Sequence, residues 1–585
     1  MAIKSLLVAN RGEIAIRILR GAADLGIRTT AIYSEDDEEA LHVRRADEAL
    51  PLRGKGAAAY LEAEAIVACA EQAGCDSLHP GYGFLSESAV LARACERAGL
   101  IFVGPQPEVL ETLGDKARAR TLAESCGVPI LAGTEGPTSL QEAQAFFAQC
   151  AEGVGLIVKA VSGGGGRGLR VVQDVSLLAE AMERCSSEAA KAFGSGDVYV
   201  EEFLPHARHV EVQIVGDGKE VMHLWERECT LQRRHQKLVE VAPSPGLSKV
   251  LRDALLDAAT KMAARTGYRG VGTFEFLVDA PGEADSRWAF IEANPRLQVE
   301  HTVTEAVTGV DLVHVQLGIA GGQSLADLGL RADLLAPPRG YAVQVRVNME
   351  SMAKDGSPRP ASGQLHQFEP PSGPGIRVDH HAYAGFKSSP AFDGLLAKVI
   401  AHAETERYED ALQRAGRALR ELRAEGIATN ASFLEALLAH PEVSAHRIHT
   451  TFIEDNAADL LERTRKVEAV RSEKSSLSEK APGVGAKIDP RDPLAVLDHG
   501  RQALSAEETE TTDPAISSGP EGSETVRAPV QGTVVSIETE NGREVHAGEP
   551  LLVMEAMKME HVIQAPRDGE VIRLEVGVGE TVLEG

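Results

Sequence analysis

Apolar residues fall in short bursts along this chain, and their period changes from one region to the next. Residues Ile3 to Ala9 form a continuous apolar run suited to a buried strand. The turn Asn10-Arg11-Gly12-Glu13 follows, then a helical spacing through Ile14, Ile18 and Leu19 and a second strand over Thr29 to Tyr33. Strand, turn, helix and strand in that order predict a doubly wound parallel sheet with ligands at its C-terminal strand edges. Further strands are predicted to end in Lys159, to span Tyr199 to Leu204 and Gly272 to Leu277, and to begin at Phe290.

Near the C-terminus the pattern repeats. Ala528-Pro529, Gly532, Val534, Gly542, Val545 and Gly548 return 37 positions later as Ala565-Pro566, Gly569, Val571, Gly579, Val582 and Gly585. Each copy alternates apolar and polar residues with Gly at the turns, which predicts short strands facing each other in a small flattened barrel. The link between the copies, Glu555-Ala556-Met557-Lys558-Met559, is then a hairpin tip, where a lysine has the reach to be modified. Two Met residues gain nothing from burial at such a tip, which sets this lysine apart from an ordinary solvated one. The first copy continues into an apolar strand over Pro550 to Met554, whereas the second stops at Gly585. The expectation is a barrel one strand short, and hence a piece of a longer polypeptide.

Length and charge narrow the classes. At 585 residues the chain exceeds one core. A net charge of −27 argues against nucleic acid as a partner, because phosphate backbones call for Lys/Arg stripes. The sequence has no apolar run of about 20 residues, so no membrane span is expected. Seven scattered cysteines without a CxxC pair read as reduced thiols of a cytoplasmic protein. From about residue 464 to 524, Lys, Glu, Ser, Pro and Thr dominate without an aromatic, which predicts a flexible tether.

Several stretches carry candidate chemistry. His79-Pro80-Gly81-Tyr82-Gly83-Phe84-Leu85-Ser86-Glu87 is either a plain turn or a loop whose amides approach an anion. Lys159 followed by Gly163-Gly164-Gly165-Gly166-Arg167-Gly168 is a stronger signal. Four consecutive glycines carry an ordering cost in any packed element but suit a flap whose N–H groups wrap a polyphosphate. The spacing is not that of a P-loop, and Asn10 to Gly12 lacks a dinucleotide fingerprint. Gln232 to Lys237 is a basic stretch in acidic surroundings and reads as an anion site. Glu275 and Glu292 sit among Phe and Ile on predicted strands, and antiparallel pairing would turn both, with Asn294, into one cavity. That all-oxygen set suits Mg²⁺ (or Mn²⁺).

Together the glycine flap, the Glu275/Glu292/Asn294 trio, the Gln232–Lys237 run and Arg296-Leu297-Gln298-Val299-Glu300-His301 resemble the ATP-grasp biotin carboxylases over residues 1 to 450. Glu555 to Met559 resembles the attachment site of biotinyl carrier domains. The resemblance implies an α/β chain in five parts. These are a doubly wound N-terminal domain (1–115), an ATP-grasp domain (116–335) with a lid at about 131–204, a mixed α+β C-terminal carboxylase domain (336–455), a linker (456–524) and an all-β biotinyl domain (525–585).

It also implies roles. Lys116, Lys159 and Gly164, Gly165 and Gly166 hold ATP phosphates. Glu201 and Leu204 border the adenine, His209 lies by the ribose, and Gln232 and His235 complete the nucleotide site. Glu275, Glu292 and Asn294 hold the metal, while Arg296, Gln298 and Val299 hold bicarbonate. Glu300 is the general base, Lys237 supports the intermediate, Arg346 stabilises the biotin oxyanion, and Lys558 carries biotin. Gln344 stands where many relatives carry Glu. The expected partners are ATP, bicarbonate, a carboxyltransferase, a biotin protein ligase and a second copy of the chain. Ser372 to Gly375 and Ser389 to Ile400 look most like acyl-CoA carboxylase chains, with pyruvate and urea carboxylases as the alternatives.

Overall fold

The computed structural model describes residues 2–583 apart from 135, 151–154, 162–168, 194, 205, 281, 354–356, 480–522 and 557–558. Gly164, Gly165, Gly166 and Lys558 therefore lie outside the described residues.

The predicted N-terminal sheet is present. Its strands run in the order Glu48–Pro51, Arg28–Tyr33, Ser5–Val8, Ser77–His79 and Ile101–Phe102, all parallel. The order reverses between Ser5–Val8 and Ser77–His79, and the loops beginning at Asn10 and Pro80 leave that crevice side by side. Asn10 Nδ2 donates to the carbonyls of Pro80 and Tyr82, both at 2.8 Å. Gly81 has φ +68°, and a Cβ there would come within 2.8 Å of the Asn10 side chain, so glycine is what lets the two loops close on each other.

A small antiparallel sheet, ordered Leu169–Val172, Leu156–Ala160 and Val198–Glu202, stands apart with its own core of Leu156, Val158, Val172, Met182 and Val200. The main sheet has eight antiparallel strands, ordered Trp288–Asn294, Arg269–Asp279, Ala207–Asp217, Val221–Arg233, Gln236–Ala242, Tyr341–Asn348, Leu395–Ala403 and Ile376–His380. It runs straight through the predicted division near residue 335, because Gln236–Ala242 pairs with Tyr341–Asn348, Glu240 opposite Gln344. Helix Lys249–Arg265 covers one end, and helices Tyr408–Glu421 and Ala431–Leu438 cover the other.

The stretch read as tether begins as structure. Ala457–Glu479 is a helix, with Leu460 buried in the C-terminal core and Arg471 donating to the Leu419 carbonyl at 2.8 Å. Composition alone hides this, because Leu460 in the first turn and Arg471 about four turns along are what tie the helix down.

The repeat becomes a reciprocal exchange of strands. Gly532 and Thr533 pair with Val582 and Thr581, and Gly569 and Glu570 pair with Val545 and Glu544, the same positions with the copies swapped. Between the copies, Pro550–Ala556 and Met559–Gln564 form an antiparallel hairpin with Ala556 opposite Met559.

Candidate active site

The strand Ala207–Asp217 alternates apolar Val210, Val212 and Ile214 with polar His209, Glu211 and Gln213, and all six are buried. The apolar face packs on helix Lys249–Arg265, so the polar face must find partners within the protein. It finds them on its sheet neighbours. Glu275 lies opposite Glu211 on one side and Glu292 on the other, and Thr273 lies opposite Asn294.

Of these, His209, Glu275, Glu292 and Asn294 line a cavity of about 930 Å³ together with Lys116, Lys159, Gln232, His235, Lys237, Arg296 and Arg346. At its centre Lys237 Nζ touches Glu211 at 2.7 Å, Glu300 at 2.8 Å and Glu275 at 3.1 Å. Arg346 Nη2 reaches the other Glu300 oxygen at 3.0 Å, while its Nε donates to Glu240. Burial alone would raise the Glu300 carboxyl. Lys237, Arg346 and Arg227 outweigh it and hold Glu300 well below the usual carboxylate range. Glu275 is likewise depressed against its burial, by Lys237 and His209, whose Nε2 lies 2.6 Å from it. Lys237 goes the other way, its three carboxylates overriding burial and keeping it firmly protonated.

The remaining predicted residues take definite places. Arg296 donates from Nε to Glu87 at 2.6 Å and from Nη2 to Asn294 Oδ1 at 3.0 Å. Gln298 donates to Glu275 at 2.6 Å, and the Val299 carbonyl accepts from Lys398 at 3.0 Å. Burial lowers Lys116, which sits near Glu292, Lys159 and Glu201. The Glu201 carboxylate is taken up by Lys159 and Arg120, and the cavity wall beside it is Glu202, Phe203 and Leu204. A carboxylate between two largely buried cations serves to neutralise them.

Four residues escaped the sequence reading. Glu87 and Glu240 orient Arg296 and Arg346, and Glu211 shares Lys237. Arg227 is fully buried and donates to Glu211, Gln213, Thr304, Thr273 and Gln298, so one guanidinium fixes both Glu211 and Gln298. The period-two polar stripe His209, Glu211, Gln213 was the available signal. Gln344 donates to Glu240 at 2.9 Å and accepts from Thr302, a neutral group beside a buried carboxylate.

The donor set fits a hard cation, since Glu275 and Glu292 face each other across adjacent strands at the cavity wall with Asn294 alongside. The barrel meets the same cavity. Gln531, Gly532, Thr533, Glu555 and Ala556 also line it, the last two standing three and two positions before Lys558 in the chain. Among the described residues no helix is long and apolar enough to cross a membrane.

Comparison with known proteins supplies the family. Models match for the biotin carboxylase N-terminal domain over residues 2–110, the carbamoyl-phosphate synthase L chain ATP-binding domain over 115–328, the biotin carboxylase C-terminal domain over 344–455 and the biotin-requiring enzyme domain over 524–585. Human mitochondrial pyruvate carboxylase is 47% identical over 460 residues, 78% of this chain and 38% of that one. The biotin carboxylase domain of Hydrogenobacter thermophilus 2-oxoglutarate carboxylase, solved with MgADP and bicarbonate, is 38% identical with a TM-score of 0.74. That match covers 79% of this chain and 99% of the other. A single-chain long-chain acyl-CoA carboxylase is 39% identical with a TM-score of 0.69, covering 100% of this chain and 50% of that one. The chain thus spans 38% of the length of the curated relatives it matches.

The expected acyl-CoA acceptor is corrected by these relatives, because the curated proteins at 45–47% identity are pyruvate carboxylases. Ser372 to Gly375 and Ser389 to Ile400 lie inside the biotin carboxylase C-terminal match. With its site built from Lys237, Glu275, Glu300 and Arg346 and three carboxylase and ATP-binding matches in succession, this chain belongs to the biotin carboxylase family and carries a biotin-requiring domain at its C-terminal end.

Proposed function

We propose that the chain carboxylates biotin borne on Lys558 at the expense of ATP and bicarbonate. The observation that carries this reading is Glu300 held between Lys237 and Arg346 in a cavity that the barrel hairpin also lines. Bicarbonate is a poor electrophile, and phosphorylation gives it a leaving group. Phosphoryl transfer then asks mainly for positioning and charge neutralisation. Lys116 and Lys159 receive the phosphates, Lys159 by exchanging Glu201 for them. Glu275 and Glu292, with Asn294, would hold Mg²⁺, which supplies charge neutralisation across the phosphates when bound.

Arg296, already oriented by Glu87, holds bicarbonate with Gln298 and the Val299 backbone. Glu300 takes its proton. In the arrangement described, Lys237 and Arg346 keep Glu300 a weak base. Anionic substrates divert both cations, which lifts Glu300 toward the range where it accepts a proton. Arg346 is then free to face the oxyanion developing on the biotin ring, with Glu240 fixing its other edge.

We assign the acceptor to pyruvate, on the identity of the curated relatives, with a carboxyltransferase, a biotin protein ligase and a second copy of this chain as partners in a reducing cytoplasm. Biotinylated protein should cleave ATP only with bicarbonate present. With its carboxyltransferase it should fix labelled bicarbonate into pyruvate. Turnover of an acyl-CoA in place of pyruvate would overturn the acceptor and leave the first half-reaction standing.

A further inference from the structure

Outside the cavity, His206, His449 and Asp455 each bring one ligand atom within 4.8 Å of the other two. None has a part in the chemistry above. His206 joins the small sheet to the main one, standing between strands Val198–Glu202 and Ala207–Asp217, and it is exposed. Its φ of +54° is a left-handed backbone that a non-glycine residue adopts at a cost. That backbone sets its ring against His449, with centroids 4.4 Å apart and planes at 89°. His449 belongs to the C-terminal domain and Asp455 ends the short helix Phe452–Asp455. His449 Nδ1 lies 3.7 Å from Asp455 Oδ2, and Thr451 Oγ1 sits between them, 3.0 Å from the ring nitrogen and 2.8 Å from the carboxylate. Phe452 packs edge-on against the His449 ring and limits its rotation. The two backbones are already tied, since Thr450 N–H donates to the Ala207 carbonyl at 2.8 Å.

We propose that His206, His449 and Asp455 form a second metal site, taking a borderline divalent ion such as Zn²⁺, Ni²⁺ or Cu²⁺. Two imidazole nitrogens and one carboxylate oxygen are the donors such ions prefer, whereas Mg²⁺ and Ca²⁺ want oxygen alone. Two ligand atoms on one zinc stand at most about 4 Å apart, so a small rotation of the exposed His206 ring closes the set and leaves a position for water. Burial and the neighbouring His206 lower His449, which keeps its imidazole in the neutral form a metal needs. The site bridges the root of the small sheet to the C-terminal domain, three residues before His209. An ion there acts as a staple on the small sheet. This consequence, unlike the site itself, rests on the reading of residues 131–204 as a lid over ATP.

The test is a zinc titration of metal-stripped, biotinylated full chain, with saturating MgADP protecting the catalytic carboxylates and a chromophoric zinc indicator as competitor. His206→Asn keeps a residue that tolerates the left-handed backbone, and Asp455→Ala removes the carboxylate. The wild type should bind one equivalent of Zn²⁺, and each variant should bind it at least about tenfold more weakly. Equal stoichiometry and affinity in wild type and both variants would overturn the site. Bicarbonate-dependent ATP cleavage of the wild type should fall as that equivalent binds, while the His206→Asn enzyme keeps its zinc-free rate. An unchanged rate at full occupancy would overturn the staple. A chain with no ATP cleavage in the absence of zinc would refute the proposed function and leave the binding result intact.

Discussion

On the strand Ala207–Asp217, His209, Glu211 and Gln213 alternate with Val210, Val212 and Ile214, and both faces are buried. On the hairpin strands of the barrel only one face is buried: Met554 is 0% and Ile563 9% exposed, while Val562 is 50% exposed. The sheet can bury a polar stripe because its neighbours return the counter-charges: Arg227 meets Glu211, and Lys237 meets Glu211, Glu275 and Glu300, the last 63 residues away. The barrel is too small to bury two faces, and its hairpin strands close with Ala556 opposite Met559. Charge inside a core has to be matched group by group, whereas a carrier needs only a fold that presents one lysine.

Substitutions should separate the two regions. Glu300→Gln should lower bicarbonate-dependent ATP cleavage by about 10²–10⁴-fold, the usual reach of general base catalysis, with ATP binding and biotinylation of Lys558 unchanged. Full activity in that variant, measured by phosphate release, would remove Glu300 from its role. Arg227→Met leaves Glu211 buried with one cation fewer and should cost about 3–5 kcal/mol in urea unfolding of the carboxylase part, with the barrel unaffected. A loss below about 1 kcal/mol would mean that Lys237 alone balances the carboxylates.

The barrel's two copies can be set against each other. A Cβ at Gly532 would lie 2.4 Å from the Glu555 carbonyl and 2.9 Å from Met554, whereas at Gly569 nothing lies within 4 Å. Gly532→Ala should therefore lower barrel stability by about 1–3 kcal/mol and slow biotin attachment, with Gly569→Ala near neutral in the same thermal melt and streptavidin shift. Equal effects would mean that the copies share one environment.

Acid should act on the carboxylase part gradually. Burial lowers His42 to about 4 and His79 to about 3. Below about pH 6.5 the unfolded chain binds protons that the folded chain refuses. Stability is thus present above pH 6.5 and is lost as pH falls toward 4, by about 1.4 kcal/mol per unit for each histidine. The Tm of the carboxylase transition should fall steadily from pH 7 to 5, and a flat profile would contradict the burial of these rings as neutral groups.

Much of this was open to sequence reading. The glycine-turned repeat stood out because a tip lysine between methionines has no packing reason to exist, and the strand exchange of Gly532 with Val582 follows from the repeat itself. The parallel N-terminal sheet came from one strand–turn–helix–strand signal. Glu275 and Glu292 were visible as charges among aromatics. Glu211, Arg227 and Glu240 were not, because each acts through a partner on another strand and registers locally as an ordinary half-polar strand residue. The continuity of the main sheet across residue 335 was hidden for the same reason, since Glu240 and Gln344 meet only after 104 residues of chain.

The central claim is that the buried carboxylate site loads the lysine of the barrel. It is tested most directly by incubating the biotinylated chain with ATP, Mg²⁺ and radiolabelled bicarbonate and trapping the protein-bound label. Label should appear only with ATP, vanish in Lys558→Arg and vanish in Glu300→Gln although that variant still carries biotin. Label that persists in Lys558→Arg, or forms without ATP, would contradict the account.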